Sequence, residues 1–305
     1  MEILFVSSGN TKNGISPIVF NQGNSLKEIG HEVSFFTIKE KGIKGYFKHI
    51  FVLKRFLKSN TYDVIHAHYS LSAIVAALAG GKPLVVSLMG SDVKASPLLK
   101  YLIKICHFLF WKKVIVKSQD MKLSCGIEKA SILPNGVDFN KFVQIPKQEA
   151  LKITGWDQKK KHILFAANPN RREKNYALAQ RSFELINQKD VELHALINVP
   201  NQDMPAYFNA ADVVILTSLW EGSPNVIKEA MACNCKIVAV NVGDIKEIIG
   251  DAAGCFVTGF DEKEIANCLE RALEFSRKPD GRFHIPHLNA EVIATKLTNL
   301  YKEVL

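Results

Sequence analysis

Along the whole chain, short apolar runs rich in Val, Ile and Leu alternate with longer stretches whose apolar residues recur at helical spacing. The runs fall at residues 1–6, 33–38, 62–69, 84–88, 113–116, 162–167, 191–198, 213–216 and 236–242, each ending near Gly, Asn, Ser or Asp. Between them the spacing predicts helices at about 17–29, stopped by Gly30, and at 98–113, 204–211 and 262–275. Strands that alternate with helices in this way argue for the α/β class, as two doubly wound, Rossmann-like domains facing a cleft. The polar segment 144–161 marks the boundary, giving domains at 1–147 and 148–286.

One βαβ unit concentrates the candidate chemistry. Residues 213–216 form a strand, a Gly-bearing turn follows, then an amphipathic segment, then the β-branched run 236–242. The turn therefore lies at the carboxyl end of a parallel strand, where such sheets bind ligands. Ser223 reads as the N-cap and Pro224 as the first helical residue, which leaves the amides of Asn225, Val226 and Ile227 without intrahelical partners. Those amides and the helix dipole favour a phosphate. Glu221 and Glu229 flank the same place, and a carboxylate beside a phosphate is tolerated when hydroxyls donate to it. A sugar supplies them.

The segment E-G-S-P-N-V-I-K-E-A-M-A, with seven residues between Glu221 and Glu229, resembles the signature of the retaining glycosyltransferases of family GT4, which have the GT-B fold. The resemblance implies that Glu221 contacts the transferred sugar and Glu229 the nucleotide ribose, while Gly222, Ser223, Pro224, Asn225, Val226 and Ile227 hold the donor diphosphate. Residues 168–179, Asn-Pro-Asn-Arg-Arg-Glu-Lys-Asn-Tyr-Ala-Leu-Ala, place cations before a helix, where they oppose the dipole and so point to an anion. By resemblance Arg171 and Lys174 bind the donor diphosphate and offset the charge on the leaving nucleotide, with Arg172 as the rival to Arg171. This spacing is similar to that in transferases of teichuronic-acid and other surface-polysaccharide synthesis.

The first half carries further family marks. The loop after the first strand resembles the one that touches acceptor and donor phosphate, which assigns Gly14, although the family's Gly-Gly pair is here Asn13-Gly14; a simple turn is the other reading. His66 and His68 of "DVIHAH" share one face of their strand. They are cleft residues by resemblance, hydrogen-bonded interior residues otherwise, and lack further metal ligands nearby. In Met89-Gly90-Ser91-Asp92 the family's histidine is replaced by Met89, and a thioether offers none of imidazole's proton chemistry. Gly90 and Asp92 remain cleft candidates. Asn135, in "PNGVD", corresponds to the edge of the nucleotide site, and residues 287–305 to a helix that returns to the first domain.

Composition narrows the partners. The net charge of +9 is confined to the first half: residues 1–150 hold 20 Lys+Arg against 10 Asp+Glu, residues 151–305 hold 19 against 20. This asymmetry suits an anionic surface there, and with no nucleic-acid-binding motif in view the expectation is an acidic membrane face rather than nucleic acid. Residues 39–58 interleave Lys and Arg with Tyr46, Phe47, Phe51 and Phe56. Helical spacing can gather Phe47, Ile50, Phe51 and Phe56 on one side, either against lipid or into a core. Six cysteines without metal spacing suit buried thiols in a reducing compartment. The amino terminus lacks a secretory pattern and no run is long enough to span a bilayer, so a cytoplasmic protein, soluble or peripheral on the membrane, is expected.

Together these features imply a metal-independent hexosyltransferase, since no Asp-x-Asp occurs, without a cofactor. It would use a nucleotide-diphosphate sugar as donor and a glycan or lipid-linked molecule as acceptor. The alternative is a non-catalytic nucleotide-sugar-binding subunit partnering another transferase, motivated by Met89.

Overall fold

The computed structural model describes the chain apart from residues 11–13, 41 and 91–96 and the side chains of residues 43 and 97–100. Two units emerge, one formed by Met1–Gly136 and Ala290–Leu305, the other by Val137–Asn289. Each is built on an all-parallel sheet whose apolar strands are buried on both faces, as parallel strands require.

In the first unit the strands are β1 (Glu2–Ser8), β2 (Glu32–Ile38), β3 (Val64–His68), β4 (Leu84–Ser87), β5 (Lys113–Val116) and β6 (Ser131–Ile132), ordered β2-β1-β3-β4-β5-β6. The side chains of Ile3, Leu4, Phe5 and Val6, on β1 between β2 and β3, are fully buried. The helix Ala290–Lys302 belongs to this unit although it follows the second in sequence. It is anchored by Tyr301, fully buried, whose hydroxyl is 2.6 Å from His66 Nδ1, and by Thr298, 2.9 Å from His31 Nε2. Gly136 has to be glycine for this return: a Cβ there would stand 2.6 Å from the Ala290 Cα.

The second unit contains β7 (Lys161–Phe165), β8 (Val191–Ala195), β9 (Val213–Leu216), β10 (Lys236–Val240) and β11 (Cys255–Thr258), ordered β11-β10-β9-β7-β8. The chain starts at β7, adds β8 on one side, and then reverses to add β9, β10 and β11 on the other. The reversal puts a topological switch point between β7 and β9, and the crevice for a ligand opens beyond their carboxyl ends. Chain entry and exit lie side by side, because Val137 bridges Asn289 in parallel.

Two expectations from the sequence need correction. Helix Asn225–Ala232 begins one residue later than expected: Pro224, at φ −70° and ψ 118°, is the N-cap, and Ser223 does not cap it. The aromatics of helix Gly42–Ser59 do not share a side. Tyr46, Ile50 and Phe56 pack on the core with buried Leu53, whereas Phe47 and Phe51, four residues apart, are 60% and 74% exposed. The a-to-d-like spacing of the inward set claims one face, and Phe47 and Phe51 fall on the other.

Candidate functional site

The switch point of the second unit is held by backbone geometry before any side-chain chemistry. After β7, Asn168 Oδ1 accepts from the Asn170 amide at 2.9 Å, and a 3-10 turn follows at Arg172–Lys174. Asn175 then takes a left-handed conformation (φ 52°) to launch helix Tyr176–Glu184. The loop after β9 is stitched to this turn. Thr217 Oγ1 donates to the carbonyls of Asn175 (2.9 Å) and Lys174 (3.2 Å), and the Leu219 amide donates to the Glu173 carbonyl (2.9 Å).

So fixed, Lys174 places its ammonium 2.5 Å from Glu221 Oε1, and Ser218 Oγ donates to the same oxygen at 2.7 Å. Both charged side chains are mostly withdrawn from solvent, at 16% and 13% exposure. Three residues beyond Glu221 comes the start of helix Asn225–Ala232, which has neither a side-chain cap nor an acidic residue in its first turn. Its leading amides thus keep their capacity to bind an anion. Gly222 is pressed from behind by Gly243, which has φ +64° and whose Cβ would lie 2.7 Å from the Gly222 carbonyl oxygen. Only glycine meets both demands.

A line of buried and half-buried ionisable groups runs with this helix, most of it unforeseen from the sequence. Burial pushes the Glu229 carboxyl up to about 7 despite Lys141, Lys228 and Asn201 beside it. Burial likewise lowers Lys228 to about 8, against the pull of Asp244 and Glu229. Asp244 rises to about 6 for the same reason, partly held down by the Ser223 hydroxyl and Lys228. Lys141 hydrogen-bonds Asn201 and is lowered by burial. The signal for Lys228 was present in the sequence: it stands between Ile227 and Ala230 on the apolar stripe of its helix, where a solvated lysine has no place. At the far end of the helix Arg282 donates to the carbonyls of Ala232 (2.9 Å), Phe142 (2.7 Å) and Phe139 (2.8 Å), a cation at a helix carboxyl end.

The remaining candidates are distributed as follows. Arg171 is exposed and turned onto Glu173, with Nε 2.7 Å from Oε1, and so does not touch the Lys174–Glu221 pair; Arg172 is exposed. In the first unit Gly14 has φ +79° and Gly90 φ +110°, and Met89 is partly exposed in the loop after β4; Asn13 and Asp92 lie outside the described residues. Asn135 is buried. His66 and His68 are buried with ring centroids 4.3 Å apart, and His66 Nε2 is 2.8 Å from Ser87 Oγ. Burial, and the buried Lys117 nearby, hold both imidazoles well below their ordinary pKa. They are neutral polar interior groups, and among the described residues no Cys or carboxylate completes a metal set with them. All six cysteines are free thiols, five of them buried.

Comparison with solved structures places this architecture in a known fold. Sucrose-phosphate synthase from Thermosynechococcus elongatus superposes with a TM-score of 0.84 at 16% identity, covering 99% of both chains. HepE of Anabaena, solved in complex with UDP, superposes at 0.75 and 16% identity, covering 99% of this chain and all of that one. The fold is GT-B. Residues 11–119 match the family described as Glycosyl transferase 4-like, and residues 157–274 the family described as Glycosyl transferases group 1. The chain belongs to the GT4-like, group 1 glycosyltransferase family. Among curated relatives, the teichuronic acid biosynthesis glycosyltransferase TuaC of Bacillus subtilis is 24% identical over 251 residues, covering 72% of this chain and 64% of that protein. A UDP-Gal:alpha-D-GlcNAc-diphosphoundecaprenol alpha-1,3-galactosyltransferase of Escherichia coli is 26% identical over 240 residues, covering 64% and 62%. The chain thus spans a little under two thirds of the length of these relatives.

Proposed function

We propose that the chain is a retaining, metal-independent glycosyltransferase that moves a hexose from a nucleotide-diphosphate sugar to a glycan or lipid-linked acceptor in surface-polysaccharide synthesis. The observation that carries this reading is the Lys174–Glu221 pair, 2.5 Å apart, at the mouth of an uncapped helix on the switch point of the second unit. A cation, a row of free amides and a carboxylate gathered there suit a phosphorylated sugar better than a phosphate alone. The acceptor class follows the names of the relatives, one a teichuronic acid enzyme and the other acting on a diphosphoundecaprenol-linked sugar.

In the proposed reaction the bond between the anomeric carbon and the diphosphate oxygen breaks, and an acceptor hydroxyl forms a new bond to that carbon on the same face. The acceptor's proton passes to the departing diphosphate. Negative charge grows on the diphosphate as the bond lengthens. Donor binding draws Lys174 from Glu221 and Arg171 from Glu173, and these cations with the amides of Asn225 to Ile227 then oppose the charge as it develops. Glu229, when ionised, accepts from ribose hydroxyls; Glu221 accepts from the sugar. Without an Asp-x-Asp motif, these cations and the helix dipole take the part of a bridging metal.

The first unit would meet a membrane that holds the acceptor. Beside exposed Phe47 and Phe51 stand exposed Lys54, Arg55 and Lys58, and on helix Pro97–Leu109 Tyr101, Ile105 and Phe108 are exposed with Lys104. Aromatic residues set among lysines suit the boundary of an anionic bilayer.

Incubation of the protein with a panel of nucleotide sugars and a polyprenyl-diphosphate-linked sugar tests the activity. One donor is expected to release free nucleotide in step with glycosylation of the lipid. Binding of nucleotide sugars with no transfer from any of them would instead favour the non-catalytic subunit.

A further inference from the structure

A second polar cluster lies in the same unit, at the start of β7 and along the edge strand β8. His162 of β7 is opposite Glu192 of β8 in the parallel ladder, and His194 follows Glu192 by two residues, so all three side chains share one face. His162 Nδ1 is 2.9 Å from His194 Nε2 and 3.8 Å from Glu192 Oε2, and His194 Nε2 is 3.5 Å from that same oxygen.

Three details make this more than a hydrogen-bonded corner. His162 Nε2 is 2.8 Å from the Asp157 carbonyl oxygen, which can only accept, so Nε2 carries the proton and the Nδ1 lone pair faces the cluster. A carbonyl fixing the far nitrogen of an imidazole is also how proteins orient metal-ligating histidines. Glu192 divides its oxygens, Oε1 taking Lys160 at 2.5 Å while Oε2 faces the two rings. Trp156 stacks on His194 at 3.9 Å and 11°, which holds that ring in position.

The distances fit an ion. A triangle with sides of 2.9, 3.8 and 3.5 Å has a point equidistant from its corners, about 2.0 Å from each. Zinc bonds to imidazole nitrogen and carboxylate oxygen are roughly 2.0–2.2 Å long. His162 is fully buried, whereas Glu192 and His194 retain 34% and 21% exposure, so a solvent molecule can reach a fourth position. Two imidazoles and a carboxylate suit zinc among the divalent ions, and unlike calcium or magnesium sites the set is rich in nitrogen.

We propose that His162 Nδ1, His194 Nε2 and Glu192 Oε2 form a zinc site that clamps the edge strand β8 to β7. To take the ion, the neutral His194 ring changes tautomer: Nε2 releases its proton to solvent while Nδ1 takes one up, so that the Nε2 lone pair faces the metal. None of the three ligands belongs to the turn that holds Lys174 or to the loop that holds Glu221, so the ion acts on the stability of the unit and takes no part in sugar transfer.

The test is calorimetric titration of the full-length, tag-free, chelator-treated chain with zinc chloride, read alongside thermal unfolding. One equivalent should bind and raise the melting temperature. Glu192→Gln and His194→Gln, made on the partly exposed ligands so that the buried ring is spared, should each weaken binding at least roughly tenfold. Both variants should retain the circular dichroism of the parent. Absence of saturable zinc binding by the folded parent overturns the site. So does binding that survives undiminished in both variants, since the ion would then be held elsewhere.

Discussion

Lys174 and Glu221, separated by 47 residues of sequence, share a contact of 2.5 Å because Thr217 and Leu219 tie the loop after β9 to the turn after β7. In the absence of donor the cation proposed for the diphosphate is therefore occupied by the carboxylate proposed for the sugar. A bound donor has to divide them, drawing the ammonium to phosphate and freeing Glu221 for hydroxyls. Glu221→Gln accordingly releases Lys174. Transfer should fall by about a hundredfold or more, while nucleotide diphosphate affinity by calorimetry holds or rises. Unchanged turnover would refute the role of Glu221.

Lys174→Ala acts on both partners. It removes a charge from the diphosphate and strands a carboxylate that is mostly out of water. Nucleotide diphosphate binding should weaken by roughly tenfold or more. The unliganded protein should lose about 1–3 kcal/mol in denaturant unfolding, the usual cost of a buried polar group without its partner. Equal affinity of variant and parent would show that the diphosphate lies elsewhere.

Glu229 gives a pH signature. Its carboxyl is raised from an ordinary value near 4.5 to about 7 in the folded chain, so the folded state holds the proton more tightly than the unfolded one. The stability this provides is present below pH 4.5 and is lost as pH rises through 7. Relative to Glu229→Gln, the parent should lose on the order of 2 kcal/mol across that window. Parallel stability curves for the two proteins would show that Glu229 ionises normally.

Gly243→Ala tests the support behind the sugar-side loop. The new methyl meets the Gly222 carbonyl at 2.7 Å on a backbone with φ +64°. A loss of about 1–3 kcal/mol is expected, with donor affinity reduced because Gly222 and Glu221 are displaced. Unaltered melting temperature and affinity would mean the two loops are free to part.

Sedimentation with vesicles of phosphatidylglycerol and phosphatidylcholine checks the membrane face. The parent should pellet at low salt and be released at high salt, and the double substitution Phe47→Ser, Phe51→Ser should weaken pelleting severalfold. A parent that stays in the supernatant at low salt would dismiss the idea.

Local pattern carried far in the sequence, and its failures share a cause. Strands such as Val213–Leu216 and Lys236–Val240 announce themselves because parallel strands are buried on both faces and read as unbroken apolar runs. The positions of Glu221 before the helix and Glu229 within it were legible because one turn and one helix hold them, whereas the cap was misplaced by one residue, from Pro224 to Ser223. The line of Asp244, Lys228, Glu229 and Lys141 was not, since its members meet only after strands from distant segments pair. Glu192 and His194, two residues apart on an edge strand, look like solvated polar positions until His162 is placed opposite. The direction of Phe47 and Phe51 was undecided for a related reason: with aromatics around most of the helix, only packing decides which enter the core.

The parallel bridge between Val137 and Asn289 brings together the two points where the backbone enters and leaves the second unit. That unit is consequently a cassette, continuous in sequence and closed at its base. A gene fragment for residues 137–289 could be lifted out, or exchanged for a homologous one, with both cuts falling at a single spot. Such an exchange would carry the Lys174–Glu221 pair and the helix beside it across as one piece.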